Sequence, residues 1–150
     1  MLQITNRIAI INILASLDKD KQPSFGLFTP QHMVEHLIFT LEISLGKHQQ
    51  PLVSKPEQLE PLRAFLYSEK ELSFGAKAPF LTDELPPLLC STMDQAKGEL
   101  SDALNSFFRY YEEYPSQQHM NPVFGILSKE EWIMFHNKHF THHFNQFGLV

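Results

Sequence analysis

Four stretches of the chain repeat apolar residues at helical spacing, and each is bounded by residues that start or stop helices. The first runs from about Leu2 to Leu17, with Ile4, Ile8, Ile11 and Ala15 on one face. Its β-branched residues would also suit a strand, but no turn signal breaks the run, so a helix is expected. The second opens at Thr29-Pro30, where Thr29 suits the cap and Pro30 the first helical position. Apolar positions 33, 34, 37, 38, 41 and 45 then form one broad face up to Gly46. The third starts at Thr92-Met-Asp-Gln95, a capping-box pattern, and carries Ala96, Leu100, Ala103, Phe107, Tyr111 and Tyr114 before Pro115 stops it. The fourth starts at a second such box, Ser128-Lys-Glu-Glu131, and closes at Gly148.

Between the second and third stretches, from about Lys47 to Leu89, periodicity fades. Six of the ten prolines fall there, at 51, 56, 61, 79, 86 and 87, which argues against one long helix. The segment is too apolar for a solvated linker, given Leu52, Leu62, Phe65, Leu66, Phe74 and Phe80. It reads as an ordered crossover packed on the helices, with a short helical turn near Pro56 to Leu66. No strand pattern competes. The fold class expected is all-α, a four-helix bundle with a long proline-rich crossover between helices 2 and 3, and residues 1–150 as one domain.

Composition narrows the function classes. The net charge is −5, with no block of Lys or Arg, which argues against nucleic acid and anionic membrane as partners. No apolar run reaches the ~20 residues of a membrane span. The N-terminal apolar stretch follows a single Arg7, is interrupted by Asn12 and lacks a small-residue cleavage site, so it is read as part of the fold. One cysteine, Cys90, cannot form an internal disulfide, and a cytoplasmic location is expected. Cys90 lies beside Pro86, Pro87 and two leucines with no base nearby, and reads as a buried small residue.

The candidate chemistry lies in the last helix, in His139-Phe-Thr-His142-His143-Phe-Asn-Gln146. On a helical wheel started at Trp132, His139 and His143 fall almost at the centre of the apolar arc, with His136 close by. His142 falls at the edge of that arc. Lys138, Thr141 and Asn145 fall on the far side. Two imidazoles at i and i+4 therefore point inward, and each buried ring needs partners or costs on the order of 1–3 kcal/mol per unmatched group. A shared divalent metal ion satisfies both, because neutral imidazole is a good ligand and the spacing lets two rings hold one ion. A third ligand is expected from the second helix. Of His32 and His36, the latter lies further from the solvent face marked by Glu35 and Glu42. Ordinary hydrogen bonding or a subunit contact is the competing reading for these histidines.

As a set, Thr29-Pro-Gln-His-Met-Val-Glu-His36-Leu, His139-x-x-His142-His143-x-x-Gln146 and Asn121-Pro-Val-Phe-Gly-x-Leu-Ser-x-Glu-Glu-Trp132 resemble the DinB-like superfamily of metal-binding four-helix bundles, and one branch of it whose function is unknown. The layout covers nearly the whole chain, although the specific motifs lie in two regions. The resemblance implies a divalent metal on three histidines, one from the second helix and two from the last; by position these are His36, His139 and His143. It implies thiol-dependent transfer as one activity of the superfamily. In that branch a histidine often precedes the proline of the Pro-x-Phe-Gly turn, where this chain has Asn121, with His119 two residues earlier.

The expected function is accordingly a metal-dependent transferase linked to a thiol, or a hydrolase, acting on a small molecule. The alternative is a non-catalytic binding or interaction protein, and a homodimer through helix faces would be ordinary for either. Zinc or nickel is the expected ion; imidazole also suits iron, manganese in mixed sites, and copper. Gln146, one turn beyond His143, could orient a ligand or fix an imidazole. Trp132, His136 and His32 are expected at the pocket or behind the ligands, Glu35 points away, and His48 and His119 are expected exposed in loops.

Overall fold

The structure, a computed structural model, describes residues 1–74 and 82–150. It is mostly helical. The elements are α1 (Arg7–Ala15), α2 (Pro30–Ser44), α3 (Pro56–Leu66), α4 (Met93–Glu113), β1 (His119–Asn121), β2 (Gly125–Leu127) and α5 (Lys129–Gln146). Helix α4 packs along α2 and α1, and α5 packs against α2 and α3. Among the described residues no helix is long and apolar enough to cross a membrane. Pro79 and Phe80 of the expected crossover lie outside the described residues.

The caps explain the element boundaries. The Thr29 hydroxyl accepts from the His32 backbone N–H at 3.3 Å, and Pro30 follows in the first turn. Helix α2 ends with paired bonds from Gly46 N to Ile43 O and Lys47 N to Glu42 O, 3.0 and 3.1 Å, the pattern that closes a helix through a left-handed residue. Gly46 takes that conformation, at φ 73°. Helix α5 is started by the reciprocal box Ser128 N to Glu131 Oε2 and Glu131 N to Ser128 Oγ, at 2.9 and 3.3 Å. At α4 the Thr92 hydroxyl caps Gln95 N at 3.1 Å, but the Gln95 side chain returns to Ser91 N instead of Thr92 N.

Several expectations are corrected. The first helix is shorter than Leu2–Leu17, because Asn6 Oδ1 accepts from Ala9 N and starts it at Arg7. The residues before it are stapled to α5: Thr141 Oγ1 accepts from Leu2 N and Asn137 Oδ1 from Ile4 N, both at 2.8 Å. Its buried side chains are Ile10 and Leu14, while Ile8 is 74% exposed, so the Ile8–Ile11 face is not the packed one. In α4 the buried row passes through Leu104, and Tyr114 is exposed. The crossover turn is the full helix α3.

A hairpin, β1 and β2, stands where no strand was expected; its register pairs His119 with Leu127 and Asn121 with Gly125. Asn121 Oδ1 accepts from Val123 N and Phe124 N at 2.9 and 3.1 Å and folds the turn. That is what an asparagine supplies at this position. His119 is half-buried and not exposed: its Nε2 lies 2.7 Å from the Tyr110 hydroxyl. His48 is likewise half-buried, 2.6 Å from Glu42 Oε2.

Helix α5 is the largest departure. Its far side, with Lys138 and Thr141, is covered and not solvated. Lys138 is 2% exposed and its Nζ donates to the carbonyls of Ser68 and Lys70, at 2.6 and 2.5 Å. Thr141 is buried under Leu2. A helix buried on all sides normally reads as apolar throughout. Here polar side chains find backbone partners in the N-terminal segment and the crossover, which is why its buried face cannot be read from periodicity alone.

Two glycines with opposite surroundings test this packing. At Gly46 an added Cβ would meet the His119 ring at 2.6 Å as well as a left-handed backbone. Gly46→Ala is expected to lower stability by about 1–3 kcal/mol. At Gly98, inside α4, an added Cβ meets nothing within 4 Å. Gly98→Ala is expected to raise stability by about 0.5–1 kcal/mol. Urea denaturation of the two variants checks both signs.

Candidate metal centre

Helix α2 carries His36 and helix α5 carries His139 and His143, and the packing of α2 on α5 brings the three rings together. Each offers a ring nitrogen within 4.8 Å of the others, and all three residues are buried. His36 Nε2 lies 3.0 Å from His139 Nε2, which lies 3.1 Å from His143 Nε2. Histidine–metal bonds of ~2.0–2.1 Å at angles between octahedral and tetrahedral values place neighbouring ligand nitrogens about 2.8–3.4 Å apart. The spacing fits a shared ion.

The groups behind the rings decide which nitrogen carries the proton. The Gln146 Nε2 donates to the Phe25 carbonyl at 2.8 Å, which orients the amide and turns its Oε1 toward His143 Nδ1 at 2.9 Å. An amide oxygen only accepts, so Nδ1 of His143 bears the proton and its Nε2 presents a lone pair. Thr40 Oγ1 donates to the Leu37 carbonyl at 3.0 Å and lies 3.4 Å from His139 Nδ1. With its hydrogen on Leu37, the hydroxyl can only accept from that nitrogen, which favours the His139 tautomer with Nδ1 protonated and Nε2 free to ligate. Two lone pairs then confront each other at 3.1 Å in a buried site, an arrangement that a cation between them stabilises.

The rings stay neutral without help from an acid. Burial pushes the His36 pKa down to about 3, with the nearby His142 ring adding to it. Burial, and then the neighbouring imidazoles, hold His139 and His143 well below the ordinary histidine range. Aromatic rings complete the wall. Phe28 sits with its centroid 5.2 Å from the His36 ring and 5.8 Å from that of His143, and Phe135 stacks on His139 at 5.1 Å.

The other expected residues fall in distinct places. Gln146 is behind His143, as above. His136 and Trp132 are fully buried one turn or more along α5, stacked on each other at 5.5 Å, with Phe107 and Phe140 also against His136. They belong to an aromatic core layer, not to the ligand set. Both ring nitrogens of His136 and the Trp132 Nε1 have no hydrogen-bond partner among the described residues. His32 lies outside the triad. It joins Thr29 Oγ1 at 2.7 Å to the Pro86 carbonyl at 2.9 Å, fastening the end of the crossover to α2.

His142, the member of the histidine pair expected at the edge of the apolar arc and facing outward, is instead 5% exposed, because Phe25 covers it at 5.3 Å and its ring meets that of His143 at 4.9 Å. It remains outside the cluster of ligand atoms.

Glu35 does not simply point to solvent. Its oxygens accept from Leu89 N and Cys90 N, both at 2.8 Å. Burial acts to raise its pKa, but those bonds outweigh it and lower the value. Cys90 is a poor nucleophile: burial, with the Glu99 and Glu35 carboxylates, pushes its thiol up to about 12. A groove of about 450 Å³ bounded by Ile43, His48, Leu52, His119 and Ile126 lies near the C-terminal end of α2 and includes none of the three histidines.

Sequence reasoning missed Thr40, Phe28 and Phe25. Thr40 had a signal, one helical turn beyond His36 on the same face. The phenylalanines sit in an aperiodic loop and had none. No known family profile, characterised protein or solved structure matches this chain.

The ligand assignment and the burial of the rings each have a measurable consequence. His139→Ala and His143→Ala are expected to abolish zinc binding in titration calorimetry, whereas His142→Ala retains it within about tenfold; equal loss in all three would contradict the ligand assignment. Metal-free protein is also expected to lose stability in acid. His36 and His136 hold their folded-state pKa at about 3, below the ordinary 6.5. The unfolded chain therefore binds more protons, and stability is complete above pH ~6.5 and falls as the pH drops toward ~3. Each such group contributes a slope of about 1.4 kcal/mol per pH unit in that window. Denaturation of His136→Leu across the range should show a shallower slope than wild type.

Proposed function

We propose that this chain is a DinB-like four-helix bundle of α1, α2, α4 and α5, with a divalent metal centre on His36 of α2 and on His139 and His143 of α5, and with zinc or nickel the favoured ion. The observation that carries the reading is the buried cluster of three imidazole nitrogens, with His139 Nε2 3.0 and 3.1 Å from those of His36 and His143 and with Gln146 behind His143. A cytoplasmic location belongs to the same proposal, in keeping with the lone free thiol.

The activity proposed is transfer to a small-molecule thiol. When bound, a divalent ion supplies a Lewis acid that lowers the pKa of a thiol or water. Three protein ligands leave room for such a molecule, as closed four-ligand structural sites do not. The surrounding side chains favour the thiol. Among the described residues no carboxylate joins the triad, and Glu35 is committed to the backbone of Leu89 and Cys90. A thiol with a pKa near 8.5 needs only ~1–2 units of depression to ionise at neutral pH. A three-histidine zinc also brings bound water to about 7, so the preference for the thiol rests on the missing general base and not on the acidity of water. Phe28 and Phe135 exclude bulk water from the imidazoles, and Gln146 and Thr40 hold the rings in the ligating tautomer.

Hydrolysis is the second reaction the site could support, and a non-catalytic binding protein is the alternative. The test is the visible and near-ultraviolet spectrum of cobalt-substituted protein titrated with low-molecular-weight thiols. A sulfur-to-cobalt charge-transfer band in wild type, absent from His139→Ala, supports the thiol reading. Cobalt binding with no change on adding thiol sinks it and favours the binding protein.

A further inference from the structure

The loop before α2 is hydrogen-bonded to Gln146, the residue behind His143. Ser24 N donates to the Gln146 carbonyl at 2.7 Å, and Gln146 Nε2 donates to the Phe25 carbonyl at 2.8 Å. The same amide accepts from His143 Nδ1 at 2.9 Å. Gln146 is 4% exposed, so both ends of its amide are committed inside the protein. The loop in turn lays Phe25 over His142, and Phe28 over His36 and His143. Gly26 lies between the two rings at φ 75°, and a Cβ there would stand 2.8 Å from Gln146 Nε2. Only a residue without a side chain lets the loop backbone approach the amide this closely.

The chemistry of an amide makes the two contacts interdependent. While the Phe25 carbonyl holds the NH₂ group, the oxygen must face His143. If the loop leaves, the amide can turn, and an NH₂ group directed at Nδ1 would favour the tautomer whose Nε2 carries the proton and cannot ligate.

We propose that the Ser24–Phe28 loop is a cover over the metal centre, and that Gln146 is the positioning residue through which loop closure and metal binding strengthen each other. The inference rests on the metal reading above. Because coupling between two equilibria is reciprocal, the ion must tighten the loop by the same factor that loop closure raises affinity for the ion.

Gln146→Glu separates the two contacts. A carboxylate still accepts from His143 Nδ1 but cannot donate to the Phe25 carbonyl. The experiment is amide hydrogen exchange over residues 22–29 with and without zinc, in wild type and Gln146→Glu, with zinc affinity measured beside it by competition against a chelating dye. In wild type, zinc is expected to slow exchange in this loop by about tenfold, the lower end of effects transmitted by groups behind a metal ligand. In Gln146→Glu, zinc should bind about as well yet leave the loop largely unprotected.

Gly26→Ala, which touches no ligand, should weaken zinc binding by about tenfold in the wild-type background and have little effect in Gln146→Ala, where the amide is gone. Equal zinc protection in wild type and Gln146→Glu, or zinc binding with no protection in wild type, overturns the coupling alone. No zinc binding by wild type overturns the metal reading and the coupling with it.

Discussion

Three imidazoles buried between α2 and α5, with His139 Nε2 3.0 and 3.1 Å from Nε2 of His36 and His143, are the constraint around which the described structure is organised. Neutral imidazoles so close, two of them with lone pairs facing inward, repel unless a cation or a proton lies between them. The surroundings work against a proton, since burial depresses the affinity of all three rings for it. Neutral imidazoles keep their lone pairs for ligation, and these three nitrogens lie close enough together to share one ion.

Holding those rings requires α5 to be fixed on every side. The N-terminal residues bind it through Thr141 and Asn137, the crossover through Lys138, and α3 through Glu131, which receives the Tyr67 hydroxyl at 2.9 Å and pairs with Arg63. The Thr141, Asn137 and Lys138 contacts set polar side chains against backbone groups and the Glu131 contacts join side chains, and together they fix both the rotation and the axial position of the helix. Rotation matters because His139 and His143 must face α2 together. The aromatic layer of Phe107, Trp132, His136 and Phe140 extends the same face one turn further and keeps it dry.

Much of this was legible in the sequence because it depends on local rules. The caps at Thr29, Thr92 and Ser128 are short-range chemistry and stand where expected. His139 and His143 were readable because i, i+4 spacing alone places two rings on one face, and the DinB-like pattern pointed to the same pair and to His36. Other features depend on what a distant segment does. The burial of His142 comes from Phe25, more than a hundred residues away, and that of Lys138 from carbonyls in the crossover. Ile8 and Ile11 had the right spacing, but the cap at Asn6 and the position of α4 turn Ile10 and Leu14 inward. The hairpin is too short for an alternation signal and is specified by the Asn121 turn. Gln146 was visible as a candidate, but its double commitment was not, because the partner is a backbone carbonyl in an aperiodic loop.

The most direct test of the metal centre is the metal content of untagged protein purified without a metal-affinity column. About one divalent ion per chain is expected, as bound by a single three-histidine site, and its loss in His139→Ala. Protein that carries no ion, and takes up none on dialysis against zinc, nickel, iron and manganese, would contradict a metal centre, and the facing imidazoles would then have to be held by shared protons.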